Sequence, residues 1–139
     1  MNKTALRTLL LLFIVLLGGC GAADHQRLLN KRVYAYNQQL RWSLMDSAQK
    51  FVTGEFRDQW RLMHLNSRKN VKLVSVESQL TELTRTQPPE AEFSTKITWY
   101  IEGDMRVQHS VWSQRWAFRE NRWLLVREEN VDGATGLWP

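Results

Sequence analysis

Polar and apolar residues recur along this chain with two different periods, and the change between them divides it. From His25 to Val52 the apolar residues Leu29, Val33, Tyr36, Leu40, Leu44, Ala48 and Phe51 fall at steps of three and four. That spacing marks one face of a long amphipathic helix. Leu28, Met45 and Val52 widen the stripe, while Lys31, Arg32, Gln38, Gln39 and Arg41 supply a wet face. Thr53-Gly54 then ends or bends the helix, since glycine tolerates the left-handed conformation of a helix end. Phe56, Trp60 and Met63 carry the helical period into a shorter helix that stops near Asn66.

Past Asn70 the period becomes two. Val71 to Thr84, rich in valine, threonine and leucine, reads as a strand, and Gln87-Pro88-Pro89-Glu90 reads as a loop, because two prolines cannot both serve a ladder. From Ala91, Phe93, Ile97, Trp99 and Ile101 point one way and Glu92, Ser94, Lys96 and Thr98 the other. Gly103-Asp104 and Glu120-Asn121 are hairpin signals. The tail from Asn130 has turn chemistry and reads as loop. The expected class is α+β: a long N-terminal helix and a short helix packed on a curved four-stranded antiparallel meander.

The segment from Val111 to Glu128 concentrates tryptophan and arginine. A two-residue turn at Glu120-Asn121 sets Arg119 against Arg122, Phe118 against Trp123, Ala117 against Leu124 and Trp116 against Leu125. Alternation then gathers Trp112, Trp116, Phe118, Trp123 and Leu125 on one face, and Arg115, Arg119 and Arg122 on the other with Ala117, Leu124 and Val126. Rings and cations are thereby separated. A nucleic-acid platform presents them together, so no nucleic-acid partner is expected. Both faces carry apolar residues and a helix covers only one, which leaves the other to a second protomer, a ligand or the membrane. Trp99, His109, Trp112, Trp116, Phe118 and Trp123 are the candidate pocket or interface residues. The face that meets the helix is left open: a type II′ turn at Gly103-Asp104 joins the Trp99 face to the Trp112 face, and a bulge or three-residue loop switches it.

Ahead of all this, Lys3 and Arg7 precede an apolar run, Leu9 to Leu17, too short for the roughly 20 residues a spanning helix needs. A basic head, a short apolar middle and small residues after it describe a secretory signal. Its end, Leu17-Gly18-Gly19-Cys20, resembles the bacterial lipobox. The resemblance implies cleavage between Gly19 and Cys20, diacylglycerol on the Cys20 thiol and a lipid-anchored protein facing the periplasm. Gly21 stands where inner-membrane retention usually has aspartate, so the outer membrane is favoured over the inner. Residues 1–19 are then leader, 20–24 lipidated cysteine and tether, 25–130 the folded domain and 131–139 a tail. The chain has one cysteine, so the exported domain has no disulfide. Removing the leader lowers the formal charge by two from +5, a mild basicity that suits anionic surfaces.

Two helices and a four-stranded meander resemble the nuclear transport factor 2-like, or cystatin-like, α+β roll, whose curved sheet wraps the long helix and often leaves a conical pocket. Asn121-Arg122-Trp123-Leu124-Leu125-Val126 is similar to that family's last-strand pattern. Enzymes of the family place acid–base residues in the cone; Asp46, His64, Asp104 and His109 are this chain's candidates, with His109 the most interesting. None stands in a catalytic pattern, and no catalytic residue is assigned. The histidines lack HxxH spacing and no CxxC occurs, so neither metal nor cofactor is expected. Arg57, Arg61 and Arg68 read as a solvated helix face. The leading expectation is a non-enzymatic, lipid-anchored binding or assembly protein, as homodimer or with a protein partner. A carrier of a small hydrophobic ligand or lipid in the cone comes second, and a small acid–base enzyme third.

Overall fold

A computed structural model describes residues 20–65 and 70–138; the leader through Gly19 and Arg68 lie outside the described residues, as does the side chain of Cys20. The chain falls into two units, Met1–Lys31 and Arg32–Pro139. The described part of the first is entirely helical, with Arg27 Nη2 3.4 Å from Asp24 Oδ1. Residues 20–24, expected as a tether, are therefore the first turns of helix α1 (Cys20–Arg41).

The single long helix expected from His25 to Val52 is broken. α1 ends at Arg41, and Ser43 adopts a left-handed backbone, φ 57°. Ser43 N–H donates to Leu40 O and Leu44 N–H to Gln39 O, the paired bonds of a Schellman closure with serine in the usual glycine position. A short α2 (Met45–Ala48) and a 3₁₀ turn (Gln49–Phe51) follow. The chain then extends: Val52 bridges Leu125 in parallel, and Thr53 N–H donates to Leu125 O. Gly54 does not cap the preceding helix; it opens α3 (Gly54–Leu65).

Strands β1 (Val71–Thr84), β2 (Glu90–Ile101), β3 (Gln108–Arg119) and β4 (Arg122–Gly133) form an open antiparallel meander in the order β1-β2-β3-β4. This is the expected α+β class, an arrangement compatible with a roll. Glu120 and Asn121 have φ 52° and 60°, positive at both central positions as a type I′ hairpin requires. The expected pairs Arg119–Arg122, Phe118–Trp123, Ala117–Leu124 and Trp116–Leu125 are all formed. Glutamate is a poor occupant of left-handed backbone, which costs a side-chain-bearing residue about 1–2 kcal/mol. Glu120→Asn is therefore expected to stabilise the fold by about 1 kcal/mol, read as a rise in the thermal midpoint; the lost ion pair with Arg122 is exposed and worth little.

The other hairpin is longer than the expected two-residue turn at Gly103-Asp104: β2 ends at Ile101 and β3 begins at Gln108. Its register, with Trp99 opposite Gln108 and Ile97 opposite Ser110, still joins the Trp99 and Trp112 faces. Bulges interrupt both outer strands. β1 carries extra residues at Val74 and Thr81, and β4 at Val126 and Val131.

The helices of the second unit cover the aromatic face of the sheet. Val33, Tyr36 and Leu40 of α1 and Phe56 and Trp60 of α3 are buried, as are Ile97, Trp99, Trp112, Trp116, Trp123 and Leu125 from the strands. The Tyr36 ring meets Trp116 edge-on at 5.6 Å. Such rings bury large areas, and even a single Leu or Phe contributes about 1.5–3 kcal/mol when fully buried. On the opposite face Ala117 and Leu124 are buried as well. The arginines there are dispersed: Arg119 pairs with Glu55 and Arg122 with Glu120, while Arg115 is exposed. The tail differs from the loop expected after Asn130. β4 continues to Gly133, where φ is +80° and an added Cβ would lie 2.5 Å from the His109 carbonyl. The chain turns there and returns to bury Leu137 and Trp138.

Candidate functional site

The bulge at Val126 decides which acidic residue enters the core. Strict alternation from Leu125 would point Arg127 and Glu129 inward, two charges against an aromatic layer. The extra residue shifts the register so that Gln114 pairs with Glu128 and Trp112 with Asn130. Glu128 is consequently buried, 2 % exposed, while Arg127 and Glu129 stay in solvent and pair with each other at 2.8 Å.

Five elements supply partners around that carboxylate. Tyr36 Oη donates to Glu128 Oε2 at 2.6 Å, and Trp60 Nε1 donates to Tyr36 Oη at 2.8 Å. Gln114 Nε2 lies 3.2 Å from Asn37 Oδ1 and 3.5 Å from Glu128 Oε2. Asn37 Nδ2 donates to Ser78 Oγ, itself 2.6 Å from Thr95 Oγ1. His64 Nε2 comes within 3.3 Å of Glu128 Oε1, both side chains fully buried, although the approach lacks hydrogen-bond geometry. The His64 ring stacks on Trp60 at 4.3 Å and touches Trp138 at 4.2 Å. Buried polar groups without partners cost about 1–3 kcal/mol each, so a chain of bonds from α1 through β1, β2, β3 and β4 holds these elements in one arrangement.

Tyr36 registers its surroundings most strongly. Burial, then the charge and hydrogen bond of Glu128, push its hydroxyl well above the ordinary value of 10.0, against a smaller opposing effect from the Trp60 bond. Above about pH 10 the unfolded chain releases this proton while the folded chain keeps it, so the native state binds more protons and loses stability as pH rises. Below that pH the contribution is fully present. Urea unfolding from about pH 9 to 11.5 is expected to show a component falling by up to about 1.4 kcal/mol per pH unit, absent in Tyr36→Phe.

Beside Glu128 runs a groove of about 520 Å³ between α3 and β4, bordered by Phe56, Gln59, Met63, Trp112, Glu128 and Trp138. Its size is that of a small-molecule site. Trp112 Nε1 is buried and has no hydrogen-bond partner among the described residues. Glu128 Oε1 is likewise without one.

The residues singled out in the sequence separate. Trp99, Trp112, Trp116 and Trp123 are buried in the inner layer with Phe118 half-buried beside them, and Trp99 Nε1 donates to Ser110 Oγ. His109 lies on the opposite face, exposed, with Nδ1 3.2 Å from Thr98 Oγ1. Asp46 is exposed in the first turn of α2 and lies 3.5 Å from Gln49 Nε2, and Asp104 pairs with Arg106 in the β2–β3 loop. Asp46 and His109 therefore share no cleft. Of the four acid–base candidates only His64 joins a cluster. Arg57 and Arg61 reach back to Val52 O and Gln49 Oε1. Tyr36 was legible as a stripe residue, but Asn37, Gln114 and Glu128 were missed, since their bonds cross between elements, with partners 14 to 92 residues apart in the chain. Among the described residues, no group of three or more His, Cys, Asp or Glu side chains is placed to hold a metal, and no helix is long and apolar enough to cross a membrane.

The chain matches no protein-family model, no curated protein and no solved structure.

Proposed function

We propose that this chain is a lipid-anchored, periplasm-facing protein that binds or assembles with another protein and performs no catalysis. The observation that carries the reading is the lipobox-like Leu17-Gly18-Gly19-Cys20, with the chain's one cysteine in the position that takes lipid. Two or three acyl chains hold a protein at a bilayer durably, each buried CH₂ adding about 0.8 kcal/mol, and Gly21 favours the outer membrane. The folded domain fits a nuclear transport factor 2-like roll in element order and in its last strand, Asn121 to Val126. Its acid–base pair supports a structural role: His64 and Glu128 are shut off from solvent and tied into the core. Partner binding then falls to the surface, with a second copy of the chain the favoured partner.

Cys20→Ala is expected to abolish incorporation of labelled palmitate and to leave the precursor uncleaved; unchanged labelling overturns the anchor. A carrier role is the second reading, favoured by the groove beside Glu128 and the unpartnered Trp112 Nε1. Native mass spectrometry of the lipidated protein released from micelles separates the two, a bare dimer supporting assembly and a retained amphiphile supporting carriage.

A further inference from the structure

We infer that the surface around the α1–α2 turn and the outer side of α3 is a second membrane contact, seating the folded domain on an anionic bilayer. The Schellman closure at Ser43 throws two large apolar side chains outward: Trp42 is 66 % and Leu44 50 % exposed. Leu62 and Leu65, one helical turn apart on α3, are 67 % and 64 % exposed. A shallow cleft lined by Met45, Asp46, Gln49, Trp60, Arg61 and Leu65 joins the α2 and α3 sides, with Leu44 next to Met45 in the chain and Leu62 one turn before Leu65, and Asp46 as its one acidic member. Scattered exposed apolar residues are ordinary, whereas a contiguous group marks an interaction site.

The chemistry at its border selects the occupant. Arg41 lies over the Trp42 ring, 5.5 Å from its centroid, and Arg61 extends from α3 to Gln49. An indole flanked by guanidinium suits the headgroup level of a bilayer, where the ring sits at the interface and the cation meets lipid phosphate. The protruding leucines enter the acyl boundary as an interfacial helix face does. This contact rests on the lipid-anchored reading. It adds an orientation that the anchor alone does not impose.

The test uses the full lipidated protein in vesicles of phosphatidylcholine, with or without about 30 % phosphatidylglycerol, a fraction that gives the surface the negative potential basic residues recognise. Leu65→Cys carries an environment-sensitive dye, and Lys96→Cys, exposed on the sheet's outer face, is the reference site. The contact requires a blue shift and several-fold protection from aqueous iodide at position 65, greater on anionic vesicles, with no protection at position 96. Equal quenching at both sites overturns the contact while flotation of the unlabelled protein leaves the anchor standing. Protection at position 65 in detergent alone, growing with protein concentration, assigns the surface to a second copy and also overturns it. Dye uptake by the parent chain reveals a free Cys20 thiol and removes both readings. Trp42→Ala, at an exposed position, is expected to halve or further reduce the protection at position 65 without lowering the thermal midpoint.

Discussion

Glu128→Ala is expected to lower the unfolding free energy by about 3 kcal/mol, a large effect for one side chain on a strand facing its own charged neighbours. Oε2 accepts the Tyr36 hydroxyl at 2.6 Å and lies 3.5 Å from Gln114 Nε2, and Oε1 stands 3.3 Å from His64. Alanine removes the acceptor while the donors stay buried, and each orphaned group costs about 1–3 kcal/mol. The vacated volume adds a cavity term. Glu128→Gln keeps a carbonyl oxygen for Tyr36 and fills the same space, so its loss is expected near 1 kcal/mol. Urea unfolding followed by circular dichroism compares the two. Equal losses would mean that the bulge at Val126 places a carboxylate in the core without the fold depending on its hydrogen bonds.

Trp138→Ala is expected to cost about 3–5 kcal/mol, the range for removing a large buried aromatic. Its position near the end of the chain suggests the opposite, because termini usually fray unless they are tied down. Here the ring is 6 % exposed, 4.2 Å from His64 and 4.8 Å from Trp112. It closes one side of the aromatic layer and borders the groove. The variant would wet the His64 and Trp112 rings together, so tryptophan fluorescence should shift red before global unfolding begins. A loss below about 0.5 kcal/mol, typical of surface positions, would show that the tail lies loosely on the domain.

The periodicities carried most of the framework. β1 spans the very residues its composition marked, and the Glu120-Asn121 hairpin pairs as its turn chemistry demands, because a two-residue turn leaves register no freedom. The breaks were hidden where an unremarkable residue took a special conformation. Serine, not glycine, is left-handed at position 43, so the apolar stripe read through a helix end. Val126 looks like any strand residue, yet as a bulge it exchanges Arg127 for Glu128 at the inner face. Three consecutive charges, Arg127-Glu128-Glu129, gave alternation nothing to distinguish them by. Asn37 and Gln114 carry no sequence signal of their role, which depends on partners on other elements. Trp138 lies in a glycine-containing tail whose local chemistry says turn, and only the reversal at Gly133 returns it to the core.

The proposed lipidation signal stands apart from this, since a processing motif carries no information about the fold of the domain that follows it. The surface around Trp42 was also obscure in sequence: Leu44 reads as core until the helix ends before it.

The irregularities of β1 bear on crowding. This outermost strand is fourteen residues long, and a smooth strand of that length is a template for neighbouring chains to zip onto. Its extra residues at Val74 and Thr81 kink the exposed backbone and cut it into short runs, with Lys72 and Glu77 projecting beside them. Neighbouring copies of the chain are thereby kept from fusing into a shared sheet.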